Sequence, residues 1–242
     1  MAENVFAVTQ GGIDTPVVVD PVDQNALRTR QVAVPVVDDI DGPSTIRMLS
    51  AGRPIDNTRL RVVNAAGEDV PERSIGEIVL QSDCMLTGYY RRPDLTEKAF
   101  LSGWYCTGDL GYLANGELYV TGRKKDLIIV GGKNIYPQDL EHLACEVPGV
   151  HPGRVVVFGV YNEQNGTEDV ILVVEAEDEL QDEEDRLRLA NDVRRRVTRG
   201  SDIALRNVQV VRRNWLLKTS SGKIARAANR EKFLAECQDE MS

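Results

Sequence analysis

Residues 107–134, TGDLGYLANGELYVTGRKKDLIIVGGKN, decide how the chain is divided. Lys124, Lys125 and Asp126 place three charges in succession between apolar runs, which is typical of an exposed connection and not of a core. The sequence before this stretch contains short β-like runs, and the sequence after it alternates strand-like and helix-like segments. The stretch therefore predicts a boundary between two domains.

The same stretch contains residues suited to binding a nucleotide. Asp109 lies between Gly108 and Leu110, ahead of the strand-like run Glu117–Thr121. A carboxylate at the end of a strand can accept hydrogen bonds from two neighbouring hydroxyls, such as those of a ribose. Arg123 can hold a ribose or phosphate oxygen in its planar fork. A β-hairpin with a charged turn and no ligand is the alternative interpretation of this pattern.

Four motifs in one order resemble the adenylate-forming ligases, which include acyl-CoA synthetases, fatty acyl-AMP ligases, peptide-synthetase adenylation domains and luciferases. The motifs are GEIV at 76–79 with TGYY at 87–90, TGD at 107–109, GRKKD at 122–126 with GGKN at 131–134, and KTSSGKIAR at 218–226. The resemblance is closest to the fatty acyl-AMP ligases and concerns the C-terminal portion of such an enzyme.

The resemblance implies an α/β (α+β) fold with two parts and a joint. Residues 1–122 would be the C-terminal part of the large adenylating domain, ending in a β-rich subdomain. Residues 123–125 would be the hinge, and residues 126–242 a small, mobile α/β domain. In this family the small domain rotates about the hinge and so serves two half-reactions.

The resemblance also assigns roles to individual residues. Lys223, in a Ser-Ser-Gly-Lys turn, would be the catalytic cation, and Lys125 would be the hinge residue. Glu3 would contact the magnesium ion that accompanies ATP, because Met1-Ala-Glu3 resembles the end of a motif normally preceded by Tyr-Gly. The remaining roles are ATP or AMP binding by Asp109 and Arg123, and approach of the thiol at Gly131, Gly132, Lys133 and Asn134.

The implied enzyme is an AMP-forming acid–thiol ligase that uses ATP and Mg²⁺. Its substrate would be a fatty acid or another carboxylic acid, and its acceptor a pantetheine thiol on an acyl carrier protein. The 49 residues from Glu3 to Gly52 favour a fatty acyl-AMP ligase, because those enzymes carry an extra segment here. An acyl-CoA ligase and a non-catalytic module that binds an acidic carrier protein are the alternatives.

Two parts of such an enzyme have no counterpart in this sequence. We find no Ser-, Thr- and Gly-rich phosphate-binding loop and no acyl pocket, so we expect the chain alone to be inactive. Neither Gly-Lys pair fits a Walker-type phosphate loop, and no Ser-His-Asp or Cys-His arrangement has usable spacing.

Charge and composition exclude other classes. The net charge is −9, yet residues 186–232 contain fourteen Lys or Arg against three Asp or Glu. This basic segment predicts a face that meets anions, or alternatively a salt-bridged, solvated surface. Nucleic acid is disfavoured because the segment lacks interleaved aromatic residues. We find neither a membrane-length apolar run nor a metal-ligand pair among the four widely spaced cysteines, so we expect reduced thiols and a cytoplasmic protein.

Periodicity predicts the secondary structure. We expect strands at 5–8, 16–19, 60–63, 76–80, 117–120, 127–130, 154–160, 169–175 and 208–211, and helices at 95–100, from 137, at 182–199 and at 225–236. Leu187, Ala190, Val193 and Val197 should form the inward face of the third helix. The predicted core of the second domain is Leu140, Leu143, Val155, Val157, Ile171, Val173, Val193 and Val210.

Overall fold

The computed structural model describes residues 2–5, 7–177, 182–201 and 203–239. The chain separates into two compact units, Met1–Lys125 (unit 1) and Asp126–Ser242 (unit 2). Each unit contains a packed cluster of buried apolar side chains, so each has a core of its own.

Unit 1 is built mainly from antiparallel strands. Its strands are β1 (Thr9–Gln10), β2 (Val19–Asp23), β3 (Thr45–Leu49), β4 (Arg53–Pro54), β5 (Thr58–Val63), β6 (Gly76–Ser82), β7 (Phe100–Leu101), β8 (Trp104–Ala114) and β9 (Glu117–Arg123), and its helices are α1 (Gln24–Thr29) and α2 (Pro93–Ala99). The largest sheet has the order β5–β6–β8–β7, and β9 also pairs with β8. The strands predicted at 60–63, 76–80 and 117–120 are confirmed.

The hairpin of β8 and β9 follows from its turn sequence. Asn115 and Gly116 form the two-residue turn, and their φ values are +53° and +77°. A two-residue turn with positive φ at both positions matches the twist of the flanking strands, and Asn-Gly is the sequence that adopts it most readily. The turn therefore fixes the register in which β8 meets β9.

The two strands predicted before residue 19 are wrong. The described residues between 5 and 8 form no strand, Phe6 lies outside the described residues, and of 16–19 only Val19 enters a strand. Residues 16–18 follow an irregular stretch at 11–15 and join no ladder, and Pro16 has no backbone N–H to donate to one. The short strand β1 pairs with β4, and the next regular elements are β2, α1 and β3. Asp23 Oδ1 accepts a hydrogen bond from Ala26 N (2.6 Å) and caps α1.

A buried polar cluster fastens this segment to the main sheet. Arg73 donates two hydrogen bonds to the carboxylate of Asp20 on β2 (3.0 and 3.2 Å), and the hydroxyl of Tyr112 on β8 donates a third (2.8 Å). The ring of Tyr112 stacks on Tyr119 with 4.8 Å between centroids. Since Asp20 is only 7% exposed, these donors replace hydrogen bonds to water that its carboxylate oxygens lose on burial.

Unit 2 has a mixed sheet covered on both faces. Its strands are β10 (Ile128–Val130), β11 (Lys133–Ile135), β12 (Val150–Asn162), β13 (Thr167–Ala176) and β14 (Asn207–Val211), and its helices are α3 (Pro137–Cys145), α4 (Glu183–Ser201) and α5 (Arg226–Asp239). β12 and β13 are antiparallel, and β13 and β14 are parallel. The strands predicted at 127–130, 154–160, 169–175 and 208–211 and the three helices of this unit are confirmed, with small shifts of their ends.

Alternate residues of β12 and β13 enter two different cores. Val155 and Val157 pack with α3 and α4 on one face, whereas Val156 and Phe158 pack with Phe233 of α5 on the other. A strand buried on both faces needs a continuous apolar run, which explains the sequence of β12. Of the eight core residues predicted for this unit, Leu143 and Val210 are partly buried and the other six are buried.

Helix α4 differs from its predicted inward face at one position. Ala190, Val193 and Val197 are buried as predicted, but Leu187 is 56% exposed and Leu189 is buried in its place. A leucine near the start of a charged helix fits either face by periodicity alone, and packing against α3 selects Leu189. Among the described residues, no helix combines the length and apolar character needed to cross a membrane.

Candidate functional site

Asp109 lies on a bulge inside β8 and not at the end of a strand, which corrects the position expected from the sequence. The pairing of β6 and β8 jumps from Glu77↔Leu110 to Val79↔Cys106, so β8 has two extra residues here. The bulge includes Gly108, whose φ is +71°, a conformation that glycine adopts without strain. Bulges re-aim side chains and are frequent beside active sites.

The hydroxyl of Thr107 holds the bulge in shape. Thr107 Oγ1 donates a hydrogen bond to Ile78 O (2.7 Å) and accepts one from Asp109 N (3.0 Å). These bonds fix the backbone on both sides of Gly108, so the Asp109 side chain leaves the strand in a defined direction. Thr107 was part of the quoted motif, but its type alone gave no sign of this role.

The structure brings Asp109 and Arg123 together. They face each other across β8 and β9, and Arg123 Nε donates to Asp109 Oδ1 at 3.0 Å. Their side chains are 29% and 57% exposed, so the pair is open to solvent and to a ligand. The ion pair engages Oδ1, which leaves Oδ2 to accept a hydroxyl hydrogen bond.

A second ion pair lies next to the joint. Lys124 Nζ contacts Glu77 Oε2 at 2.8 Å, and residues Lys124–Asp126 form a single 3₁₀ turn. Lys125 is exposed and is the last residue of unit 1. Burial, followed by the charge of Glu77, raises the pKa of the nearby Cys106 thiol, so this thiol is disfavoured as a nucleophilic thiolate.

The glycine pair of the predicted thiol-side loop forms the turn between β10 and β11. Gly131 and Gly132 have φ values of +55° and +78°, and a Cβ at either position would meet no atom within 4 Å. The turn thus presents bare, accessible backbone. Lys133 is exposed beside it, whereas Asn134 is buried in β11. Gly131 N donates to Thr167 Oγ1 (3.0 Å), which ties the turn to β13.

Lys223 is presented by a closed hairpin in unit 2. Lys218 and Ile224 form a β-bridge across its base. Inside the loop, Thr219 N donates to Lys223 O (2.8 Å) and Gly222 N donates to Thr219 O (2.9 Å). The Lys223 side chain is exposed, and in the described part of the chain no carboxylate pairs with it. The geometry offers a compact positive charge on a fixed support.

Glu3 meets a tyrosine pair of unit 1. Burial is the largest cause that raises the pKa of Tyr105, and the Tyr89 hydroxyl and the Glu3 carboxylate raise it further. The Tyr105 hydroxyl lies 3.1 Å from that of Tyr89. The described residues contain no group of three or more His, Cys, Asp or Glu that could hold a metal ion. One carboxylate fits a magnesium ion whose other ligands are phosphate oxygens and water, but not a protein-built cage.

Two residues around the Lys223 hairpin received no role from sequence reasoning, although Arg226 ends the quoted motif. Asn229 is fully buried and hydrogen-bonds both hairpin stems, and Arg226 links the start of α5 to α3 and to Asp126. A polar residue one turn into a predicted amphipathic helix is a weak signal that could have drawn attention to Asn229.

Several arginines of α4 are engaged in local ion pairs. Arg188 contacts Glu184 and Asp185, Arg195 contacts Asp192, and Arg196 pairs with Glu146, which directly follows α3. Spacings of three and four residues bring such charges onto one helical face. The pairing favours the salt-bridged surface over an anion-binding face for this part of the basic segment.

The curated relatives of this chain include several ligases. No protein-family model matches the chain. It is 42% identical over 146 residues to the sulfoacetate–CoA ligase of Cupriavidus necator, covering 60% of this chain and 28% of the relative. It is 35% identical over 205 residues to JamA of Moorena producens, a medium-chain-fatty-acid–[acyl-carrier-protein] ligase, covering 80% of this chain and 34% of the relative.

A solved structure from work on fatty acyl-adenylate ligases of E. coli and L. pneumophila has the same fold. The TM-score is 0.85 at 32% identity, over 99% of this chain and 42% of that one. The chain therefore spans well under half the length of these known proteins. It belongs to the superfamily of adenylate-forming ligases, and its coverage fits the C-terminal portion of such an enzyme.

Proposed function

We propose that this chain is the C-terminal portion of an AMP-forming acid–thiol ligase. The observation that carries the proposal is the exposed ammonium of Lys223 on a closed hairpin, in a member of this superfamily. A fixed cation is what a reaction between two anions requires, because negative charge accumulates in the transition state. The proposed substrate is a fatty acid or a related carboxylic acid.

The reaction would proceed in two steps. A carboxylate oxygen of the acid attacks the α-phosphorus of ATP, the bond to the bridging oxygen breaks, and pyrophosphate leaves with its electron pair. The thiol of pantetheine, losing its proton, then attacks the acyl carbonyl, and AMP leaves. Lys223 would stabilise the oxygens that gain charge in the first step. Magnesium, when it arrives with ATP, would neutralise phosphate charge.

Asp109 and Arg123 would hold the nucleotide. The carboxylate of Asp109 can accept hydrogen bonds from ribose hydroxyls through Oδ2, while Arg123 holds the side chain in place through Oδ1. The Thr107 hydroxyl supports this arrangement by fixing the bulge. The site is thus placed by backbone geometry instead of by a flexible loop, which limits the ordering entropy lost on binding.

We propose a carrier protein as the acceptor of the acyl group. The support is the long segment between Glu3 and Gly52, which folds as β2, α1 and β3 and is fastened through Asp20 to the main sheet. A segment held this firmly is a defined part of the fold, as expected for the additional segment of fatty acyl-AMP ligases. The CoA ligase among the relatives keeps free CoA as the alternative acceptor.

The proposed division of labour assigns residues 1–122 to the adenylating domain and residues 126–242 to a domain that rotates about 123–125. One orientation would bring Lys223 to the adenylate, and the other would bring the Gly131–Gly132 turn to the thiol. The charged turn at Lys124–Asp126 supports this assignment, because none of its residues is buried and Lys125 is exposed.

The test is made with the full-length ligase that contains this chain. Fatty-acid-dependent exchange of pyrophosphate into ATP reports acyl-adenylate formation, and product analysis with CoA or a pantetheinylated carrier protein identifies the acceptor. We expect exchange and acyl transfer to the carrier protein. Absence of exchange with all carboxylic acids would refute the proposed activity, and transfer to CoA alone would refute the proposed acceptor.

The 242-residue chain provides a complementary test. It offers Asp109 and Arg123 to the nucleoside but has no recognisable phosphate loop, so calorimetry should find ATP binding weak or undetectable. Micromolar ATP affinity, or fatty-acid-driven exchange by this chain alone, would show that the remaining part of a ligase is dispensable.

A further inference from the structure

The stems of the Lys223 hairpin are held by a buried amide. The side chain of Asn229 accepts a hydrogen bond from Leu217 N (2.8 Å) and donates to Leu217 O and Ala225 O (both 2.9 Å). Asn229 is fully buried, so loss of these bonds would leave backbone groups unsatisfied away from water. The hairpin is therefore continuous with α5 as a structural unit.

The first residue of α5 connects that unit to the start of unit 2. The Arg226 guanidinium contacts Asp126 through Nη1 (2.6 Å) and Glu141 through Nη2 (2.7 and 3.0 Å), and Nε donates to Val157 O (2.9 Å). The exposed fractions of the three charged side chains are 21%, 19% and 19%. One planar fork thus joins α5, α3, β12 and the chain immediately after the joint.

Asp126 and Lys223 are far apart in sequence but are joined by few steps in space. Asp126 directly follows the proposed hinge residue Lys125, and Arg226 lies three residues after Lys223. A change in backbone direction at Lys125 is carried to Asp126 by the covalent chain. The ion pair then carries it to the base of the hairpin, because a doubly bonded guanidinium has little rotational freedom.

We propose that the Asp126–Arg226 ion pair positions Lys223 relative to the joint, which makes Arg226 a positioning residue for adenylation. The inference rests on the proposed function and deepens it by naming the link between hinge and catalytic cation. Without the pair, the chain after the joint is free to move separately from the hairpin. Lys223 would then reach its target from a broader set of positions, and rates fall steeply with such misplacement.

The test compares two isosteric variants of one guanidinium. Asp126→Asn removes the charge of the carboxylate that links Arg226 to the joint, and Glu141→Gln removes the charge of a carboxylate of equal exposure that contacts the same Arg226 from α3. In the full-length ligase, Asp126→Asn should slow single-turnover acyl-adenylate formation about 10-fold with unchanged KM for ATP, the scale expected for a small misplacement. Glu141→Gln should change the rate less than about 2-fold at a similar loss of Tm. Asp126→Glu, which keeps a carboxylate, should restore most of the rate.

A second measurement needs no activity and uses the 242-residue chain. Amide hydrogen exchange at Gly222 and Lys223 should be faster in Asp126→Asn than in Glu141→Gln, because the hairpin base is loosened only in the former. Equal exchange in the two variants, or equal effects on adenylation, would overturn the positioning role. A wild-type ligase without pyrophosphate exchange, combined with the expected exchange difference, would refute the proposed function while leaving the structural link in place.

Discussion

At the level of single residues, the cation required by the proposed chemistry is Lys223. Lys223→Ala in the full-length ligase should slow acyl-adenylate formation by about two to three orders of magnitude, the usual effect of losing one preorganised charge contact. Transfer from a preformed acyl-adenylate to the thiol should change far less. Lys218→Ala, an exposed lysine on the same hairpin, is the matched control for the loss of charge.

The pattern of the two half-reactions decides the Lys223 assignment. Rapid quench with radiolabelled ATP follows the first step, and synthetic acyl-adenylate isolates the second. Equal impairment of both steps by Lys223→Ala, or the same effect from Lys218→Ala, would contradict a specific role of Lys223 in acyl-adenylate formation.

A buried carboxylate in unit 1 gives a pH-dependent contribution to stability. Glu117 accepts hydrogen bonds from Ser50 Oγ and Arg53 Nε, both at 2.7 Å, and these contacts, Ser50 first, lower its pKa. A lowered pKa in the folded state stabilises the fold above the unfolded pKa, about 4.3, and this stabilisation is lost as the pH falls through the folded value.

Glu117→Gln should therefore destabilise unit 1 at neutral pH, with a deficit that shrinks in acid. Urea unfolding between about pH 6 and pH 3 measures the difference in unfolding free energy from the wild type. Glu97→Gln, which removes an exposed carboxyl group from α2, should show no such trend. If the loss of unfolding free energy in Glu117→Gln stayed constant over this pH range, the loss would not come from the charge of Glu117.

Residue types were easier to infer than residue positions. The motifs assigned Asp109 and Arg123 to the binding of one nucleotide, and the structure joins the two side chains in an ion pair. The sequence prediction placed Asp109 at the end of a strand. The two-residue bulge could not be predicted, because it is defined by the pairing of β8 with β6 and has no signature in the local sequence. Arg226 received no role for a related reason, since its partners Asp126 and Glu141 are far away in sequence.

Among the elements, α4 is the helix in which periodicity alone did not identify the buried face correctly. Val193 is fully buried against α3 and the sheet, whereas Leu187 is 56% exposed. Val193→Ala should lower the stability of unit 2 by about 1.5–3 kcal/mol through lost burial and a residual cavity. Leu187→Ala should change it by less than about 0.5 kcal/mol. Denaturant titrations of the two variants provide the measurement, and an equal cost would contradict the observed orientation of the helix.

Most elements of unit 2, though not the short strand β11, were predictable because each is amphipathic or continuously apolar. β12 and β13 carry apolar runs that only a doubly covered strand explains, and α3 begins at Pro137, a residue that favours the first helical turn. The region before residue 19 was not predictable. Val17 and Val18 favour strands by residue type, but among the described residues they have no neighbouring strand with which to pair, and so they form none.

At the scale of the whole molecule, the proposed hinge at 123–125 can be tested at Lys125. Lys125→Pro removes a backbone donor and disfavours the helical conformation of Lys124, so it should hinder rotation there. In the full-length ligase, the ratio of the adenylation rate to the thiol-transfer rate should change, because one orientation is trapped. Lys125→Ala, which removes the charge but keeps backbone freedom, should retain the wild-type ratio. Unchanged rates in both steps of Lys125→Pro would place the hinge elsewhere.

The two units should also differ in how well they stand alone. In unit 2, buried apolar clusters cover both faces of the sheet. In unit 1, several apolar side chains are almost fully exposed. Examples are Val5 at 79%, Ile13 at 83%, Val37 at 80% and Tyr90 at 84% exposure. Exposed apolar surface of this kind promotes association. We therefore expect residues 126–242 to fold independently and residues 1–125 to be less stable or to oligomerise.

Each unit contains one tryptophan, which makes the expectation measurable in the intact chain. Trp104 lies in unit 1 and Trp215 in unit 2, so Trp215→Phe leaves a fluorescence signal from unit 1 and Trp104→Phe one from unit 2. Unit 2 should unfold at the higher urea concentration, and its midpoint should persist in the excised 126–242 chain because its core is complete without unit 1. Sedimentation of the excised 1–125 chain should depend on concentration. The expectation would be contradicted if Trp104 and Trp215 reported the same unfolding midpoint and neither excised chain showed an unfolding transition. The two units would then fold only together.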